Sequence, residues 1–298
     1  MRPVVGTYRC SPPLIRPSKL TSKENGGVGK DLSDGYNVNF AVGCRMGCQF
    51  CYVDAIHKRF GPQRYGDAVK AKWGDYLLVP SNIQEAIDKT RWERWAGKEV
   101  MMSSTHDPFL PETEPWARLI LERALPKGVR FCIQTRAYLV LNHLQLLVQY
   151  REQIRLQVSI ATMNRGFARL IEPRVPPPER RLEVLGKAKE AGLCTGVILA
   201  PIFPFCGARP HPSLDILRLA EAIAEIRPDH VYGESLHVRG MNMTLIEEAL
   251  GENVSTAQRG PDGTSFDEAA EYWFHNSLER YGMKGTWWPE GRGDAAAD

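Results

Sequence analysis

With 298 residues, 43% of them hydrophobic and 24% charged, the chain can bury a full core and has the size of one α/β barrel or two smaller domains. Its formal charge of +3 is too small to demand a nucleic-acid partner and does not forbid one. Seven cysteines, an odd number with three crowded into eight residues, argue against a secreted disulfide framework and for thiolate metal ligation in a reducing compartment.

Taken in chain order, the first residues lack the apolar core of an export signal, and no apolar run of about 18 residues follows, so a cytoplasmic chain without a membrane span is expected. Residues 1–35 are rich in Pro, Gly and Ser, including Pro12-Pro13 and Gly26-Gly27-Val28-Gly29, and predict an extended arm with neither helical nor strand periodicity. From there short apolar runs alternate with helical patterns. Strands are predicted over Asn37–Val42, Glu99–Ser104, Val129–Thr135, Arg155–Ile160, Thr195–Ala200 and Asp229–Gly233. Helices are predicted over Asn82–Trp95, Glu112–Leu125, Tyr138–Tyr150, Pro178–Ala191 and Leu214–Ile226, with Ser81 and Ser213 as N-caps and Gly192 as a C-terminal stop. Alternating strands and helices joined by right-handed crossovers give a parallel sheet, doubly wound or curved into a barrel, over residues 36–235. Residues 236–298 form a C-terminal extension, with one helix over Phe266–Tyr281 and a disordered tail at Gly291–Asp298.

Immediately after the first predicted strand, Cys44, Cys48 and Cys51 stand at C-x3-C-x2-C spacing. Soft thiolates select zinc, copper(I) or an iron–sulfur cluster. A closed zinc site takes four ligands, and no second C-x2-C knuckle follows, although His57 could complete one. A cubane held by three cysteines instead leaves one iron open to chelation by an amine and a carboxylate.

The spacing, with Phe50 and Tyr52 flanking the last cysteine, resembles the signature of the radical S-adenosylmethionine (SAM) superfamily, and within it the spore photoproduct lyase-like branch. The resemblance covers roughly residues 15–235. It is carried by Asn39-Phe40-Ala41-Val42-Gly43-Cys44, Ser103-Ser104-Thr105-His106-Asp107-Pro108, Gln134-Thr135-Arg136, Val158-Ser159-Ile160, Ile171-Glu172-Pro173 with Arg181, and Ala191-Gly192 leading to Ala200-Pro201-Ile202. It implies an α/β fold, a partial (β/α)6 radical SAM barrel with an N-terminal extended arm and a C-terminal helical extension. It also implies a [4Fe-4S] cluster on Cys44, Cys48 and Cys51, S-adenosyl-L-methionine as cosubstrate, and an external electron donor of the flavodoxin or ferredoxin type. By resemblance, Arg136 binds the SAM carboxylate, Ser159 the ribose or a nearby polar edge, His106 another polar edge and the Tyr52 main chain the adenine, with Ser104 in the same cofactor-binding set.

Strand alternation gives an independent expectation. One parity carries Met102, Ser104 and His106, then Cys132, Gln134 and Arg136, then Arg155, Gln157 and Ser159. Burying Arg136 or Arg155 without a partner costs several kcal/mol, so either these residues line a ligand-filled lumen, or they face solvent at an edge, or Arg155 pairs with Glu152 or Glu172.

Two departures from the lyases matter. Their hydrogen-donating cysteine at the second strand end is replaced here by Ser104, and the first of their paired tyrosines by Phe50. Cys132 and Cys206 are the candidate radical relays in their stead. The mixed run Arg165, Arg169, Arg174, Arg180, Arg181, Lys187 and Lys189 is interleaved with glutamates and reads as a solvated helix face, and Trp73, Trp92, Trp95 and Trp116 as packing residues, although phosphate contact and base stacking would use the same side chains. The functional expectation is radical chemistry on a thymine-derived DNA base, as modification, rearrangement or repair. Radical chemistry on a peptide or small metabolite and a zinc-binding nucleic-acid module are the alternatives.

Overall fold

The computed structural model describes residues 4–24, 29–256, 259 and 263–288. Their strands are β1 (Val4–Tyr8), β2 (Ile15–Pro17), β3 (Tyr36–Val38), β4 (Val42–Gly43), β5 (Tyr76–Pro80), β6 (Glu99–Met102), β7 (Arg130–Thr135), β8 (Ile154–Ser159), β9 (Cys194–Ile202), β10 (His230–Ser235) and β11 (Thr286–Trp287). The helices are α1 (Val53–Phe60), α2 (Pro62–Tyr65), α3 (Ile83–Asp88), α4 (Glu114–Ala124), α5 (Leu144–Gln149), α6 (Arg165–Ile171), α7 (Pro178–Glu190), α8 (Pro212–Ala224), α9 (Asn242–Leu250) and α10 (Phe266–Glu279). No helix among the described residues is long and apolar enough to cross a membrane.

The main sheet runs β11-β10-β9-β8-β7-β6-β3-β2. Every pairing from β3 to β11 is parallel, and only β2 runs antiparallel, against β3. The six predicted strands thus lie side by side in chain order, as right-handed crossovers require. One face of the sheet buries Val100, Phe131, Ile133, Leu156, Val158, Val197 and Leu199 in the large core that includes α4, α7, α8 and α10. α7 shows how local signals set an element: Pro178 opens it at a position where a missing N–H costs nothing, and Gly192, at φ +80°, ends it.

Several expectations are corrected. The arm contributes two strands: β1 pairs with β5 across some seventy residues, Val4 opposite Tyr76, and β2 pairs with β3, while Gly26-Gly27-Val28 and the tail Gly291–Asp298 lie outside the described residues. The first predicted strand breaks at Asn39–Ala41, its second piece leaving the main sheet to join β5. The helices predicted over Asn82–Trp95 and Tyr138–Tyr150 are each part 3-10 and part α. Ser81 gives its hydroxyl to the Tyr8 carbonyl at 3.2 Å instead of capping α3, and Ser213 lies inside the first turn of α8. The C-terminal helical extension is present as expected, its α10 starting from a Ser265/Glu268 capping box and packing on α8 and β10, and it also adds β11 to the sheet edge, with Trp288 stacked on Tyr232 at 4.8 Å.

On the other face of the sheet, Met101, Cys132, Ile198, Ala200, Tyr232 and Trp288 cluster with Leu32, forming an apolar floor. Met101 therefore shares the inner face with Cys132, and Met102 packs outward, the reverse of the predicted parity on the second strand. The run Val100-Met101-Met102 is apolar throughout, so alternation carried no signal there. At this floor Arg155 is paired with Glu99, at 3.2 and 2.8 Å, and also donates to the Tyr232 hydroxyl (3.0 Å) and the Asp31 carbonyl (2.7 Å). Its partner is neither Glu152 nor Glu172, and its burial needs no ligand.

Candidate functional site

The segment carrying the three cysteines leaves β4 through Gly43, whose φ of +90° and closeness to β5 exclude a side chain, since a Cβ there would lie 2.5 Å from the Tyr76 carbonyl oxygen. It is anchored on both sides of Cys48: the Gln49 amide donates a proton to the Ile171 carbonyl (2.9 Å), and the Gln49 side chain donates to the Gly47 carbonyl (2.7 Å). The Tyr52 hydroxyl reaches across to the Ser104 carbonyl at 2.8 Å, tying the segment to the end of β6.

Cys44 and Cys48 are buried and Cys51 is half-buried. Burial pushes the Cys44 thiol up to about 11 and the Cys51 thiol up to about 12, and it pushes Cys48 well above the ordinary thiol range. Cys44 and Cys51 both lie within electrostatic reach of Cys48 and add to the upward push on its thiol. Among the described residues no group of three or more His, Cys, Asp or Glu, these three thiols included, is drawn together as a ready metal site. His57, the one residue that could complete the alternative zinc site, is packed with Trp73 and Tyr76 and shares a hydrogen bond of 3.2 Å with the Tyr76 hydroxyl. The donor chemistry is three soft sulfurs and nothing harder, which suits an iron–sulfur cluster better than a closed zinc site.

Arg136, one residue beyond β7, stands beside the thiols: its charge acts on all three. Its backbone N–H donates to Asp107 (2.7 Å), Nε donates to Glu172 (3.0 Å), Nη2 to the Ala200 carbonyl (3.4 Å), and the guanidinium lies 5.5 Å from the Phe50 ring centroid. Glu172 is shared, because Arg181 holds both carboxylate oxygens, at 3.1 and 2.6 Å, while also donating to the Ser159 carbonyl (2.8 Å). Arg181 and Glu172 side chains are each only 1% exposed, so this ion pair is set in the protein interior. It links β7, β8, α6 and α7 around Arg136.

At the end of β6, the Ser104 hydroxyl accepts from Asn37 (3.3 Å) and Asn39 (2.9 Å), and the Asn39 oxygen accepts from the Ser104 amide (2.9 Å). His106 is buried with its ring edge-on to Phe40 at 4.6 Å; Nδ1 is hydrogen-bonded to the Ser103 hydroxyl (3.0 Å), and Nε2 has no partner among the described residues. The structure thus brings Tyr52, Ser104, Arg136 and the thiols to the C-terminal ends of the parallel strands, where a barrel enzyme keeps its chemistry. Ser159 is buried at the end of β8. Cys132 lies lower, in the apolar floor, and Cys206 sits in the loop after β9 among Phe167, Phe203 and Leu236. The sequence marks Glu172 and Arg181 by the resemblance, Glu172 also as an alternative partner of Arg155 and Arg181 as a member of the charged run, and does not mark Asn37 or Asn39 as site residues; a glutamate flanked by an apolar residue and a proline is the one local hint.

Burial depresses His106 to about 3 and His57 to about 4, from an ordinary 6.5. The unfolded imidazoles therefore take up protons below about 6.5 that the folded ones refuse until about 4 and about 3. Stability is expected to fall as the pH drops through that window. Chemical denaturation at pH 7 and pH 4.5 checks this, and a His57→Gln variant should lose less on acidification.

The matched family model is that of the radical SAM superfamily, over residues 38–205. The chain belongs to this superfamily and is accordingly an enzyme. It is 55% identical to protein ORF301 of Acidianus two-tailed virus over 285 residues, 96% of this chain and 93% of the relative. In fold it resembles spore photoproduct lyase solved in complex with a dinucleoside spore photoproduct (TM-score 0.58, 17% identity, 85% of this chain and 75% of the other). It also resembles Streptococcus suis SuiB bound to S-adenosylmethionine (TM-score 0.52, 12% identity, 84% and 49%). The mostly parallel sheet with flanking helices is the partial barrel of this class.

Proposed function

We propose that Cys44, Cys48 and Cys51 hold a [4Fe-4S] cluster and that the enzyme uses SAM to act on a thymine-derived DNA base. The observation that carries the cofactor half is the trio of thiols beside Arg136, in a chain of the radical SAM superfamily. When bound, such a cluster supplies the electron that splits SAM into methionine and a 5′-deoxyadenosyl radical, which takes hydrogen from the substrate. An external donor of the flavodoxin or ferredoxin type provides that electron.

The protein's own groups have separate tasks. Arg136, fixed at Nε by Glu172 and at its backbone by Asp107, offers its remaining N–H donors to the SAM carboxylate. Ser104, held by Asn37 and Asn39, and the buried His106 Nε2 offer polar contacts to the rest of SAM, with Ser159 and the Tyr52 main chain. The buried surroundings exclude water from a radical. The fold shared with a lyase solved with a dinucleoside spore photoproduct supports a nucleobase substrate. Ser104 cannot return a hydrogen atom as a thiol does, so the outcome is a base modification or rearrangement unless Cys132 or Cys206 acts as donor.

Supporting packing observations reduce the competing roles of other residues. Arg165 pairs with Glu179, Arg174 with Asp75, and Lys187 with Glu183 on a solvated face, but Arg181 of the same charged run is buried against Glu172, which corrects the reading of the whole run as solvated; Trp73 and Trp92 are buried and pack the interior.

Anaerobic reconstitution with iron and sulfide, followed by assay of reductant-dependent 5′-deoxyadenosine release, tests the cofactor half; colourless protein with one zinc would refute it. Binding to thymine-containing DNA that weakens with salt, and label transfer from deuterated DNA, test the substrate half. Arg136→Ala should weaken SAM binding by roughly 1.5–3 kcal/mol, the range for a hydrogen bond to a charged group. Calorimetric titration measures it, and unchanged affinity would remove Arg136 from the site.

A further inference from the structure

Gln157 is completely buried on β8, and neither its amide nitrogen nor its amide oxygen has a hydrogen-bond partner among the described residues. Its strand neighbour Arg155, two residues below, fills its hydrogen bonds at the lumen floor. Ser159, two residues above, lies at the level of the SAM-binding set. The carboxamide therefore sits on the inner face of the sheet, one inward position before Ser159 and beside the apolar cluster of Cys132 and Ile198.

The adjoining strand is shaped around this side chain. Gly196 is the register partner of Gln157 on β9, and a Cβ there would stand 1.9 Å from the Gln157 amide oxygen. The carboxamide thus rests over bare backbone. On the other side its register partner is Gln134, which is only half-buried. Buried amides are ordinarily paired, because an unpaired one forfeits its hydration without return. A carboxamide presents one donor and one acceptor side by side, the complement of the N3–H and carbonyl edge of a thymine-type imide.

We infer that Gln157 is a specificity-determining residue that leaves its rest over Gly196 and pairs with the imide edge of the substrate base. This rests on the nucleobase reading above. Because the amide is already shielded from bulk solvent, pairing requires little further desolvation on the protein side, and a base that cannot pair leaves the amide unpaired, which is how polar sites reject analogues.

The test uses the anaerobically reconstituted, SAM-loaded enzyme and two probes, a thymidine dinucleotide and the same dinucleotide methylated at both N3 positions. The wild type is expected to prefer the unmethylated probe by about tenfold or more, the scale of a lost hydrogen bond. Gln157→Met, close to isosteric, is expected to bind both probes alike and, without ligand, to melt above the wild type because an unpaired buried amide has gone; Gln157→Leu serves as a second apolar variant. Retention of the preference by both variants overturns the assignment while leaving the nucleobase reading standing. So do lower melting temperatures for both, which would reveal a structural amide. A wild type that binds neither probe removes the nucleobase reading, and this assignment with it.

Discussion

Replacing Glu172 by glutamine should destabilise the fold by about 3–5 kcal/mol, the range seen when one partner of a buried ion pair is removed. The carboxylate is the shared acceptor of Arg181 and Arg136, and Arg181 has no access to water that could take over its solvation. A neutral amide of the same shape keeps the packing and strands the Arg181 charge. For a chain of this size a loss of that scale lowers the melting temperature by roughly 5–8 °C. Arg181→Met should be less damaging, because Glu172 keeps Arg136 as its counter-ion. A Glu172→Gln protein melting within a degree or two of the wild type would show that the network carries little of the stability. The same substitution should also weaken SAM binding, since Arg136 loses the contact that sets its orientation.

Cys48→Ala should eliminate 5′-deoxyadenosine release while leaving a folded protein. The side chain is small and buried, so its truncation costs the fold only about 1 kcal/mol. The metal site, by contrast, would fall from three thiolates to two. Circular dichroism and thermal melting report the fold, and the charge-transfer absorption of the reconstituted protein reports the cluster. Turnover at the wild-type rate would dismiss the assignment of the thiol trio. Loss of folding together with loss of activity would instead make Cys48 a core residue, which its lining of the large apolar cluster makes worth separating.

The contrast between Arg155 and Gln157 illustrates how far the strand pattern could be trusted. In the sequence both are polar residues of one parity on one strand, and together they argued for a ligand-filled lumen. In the structure Arg155 is answered by Glu99 from β6, Tyr232 from β10 and a carbonyl from the N-terminal region, while Gln157 has no partner among the described residues. The alternation was right about the face and silent about the partner. On β6 even the face was illegible, since three consecutive apolar residues give no alternation to read.

The sequence by itself determined the six parallel strands, their order, the helices between them and the position of the thiol trio after the first strand, because apolar periodicity, turn residues and cysteine spacing are local properties that each segment carries alone. Only the tertiary structure decided that the N-terminal residues join two sheets, that Trp288 stacks on Tyr232 at the lumen floor, that Glu172 is divided between two arginines, and which inner polar residues are already paired. These are matters of register between segments far apart in the chain. A buried charge or amide is satisfied or left wanting by what stands a few ångströms away in space, and no local pattern encodes that neighbour.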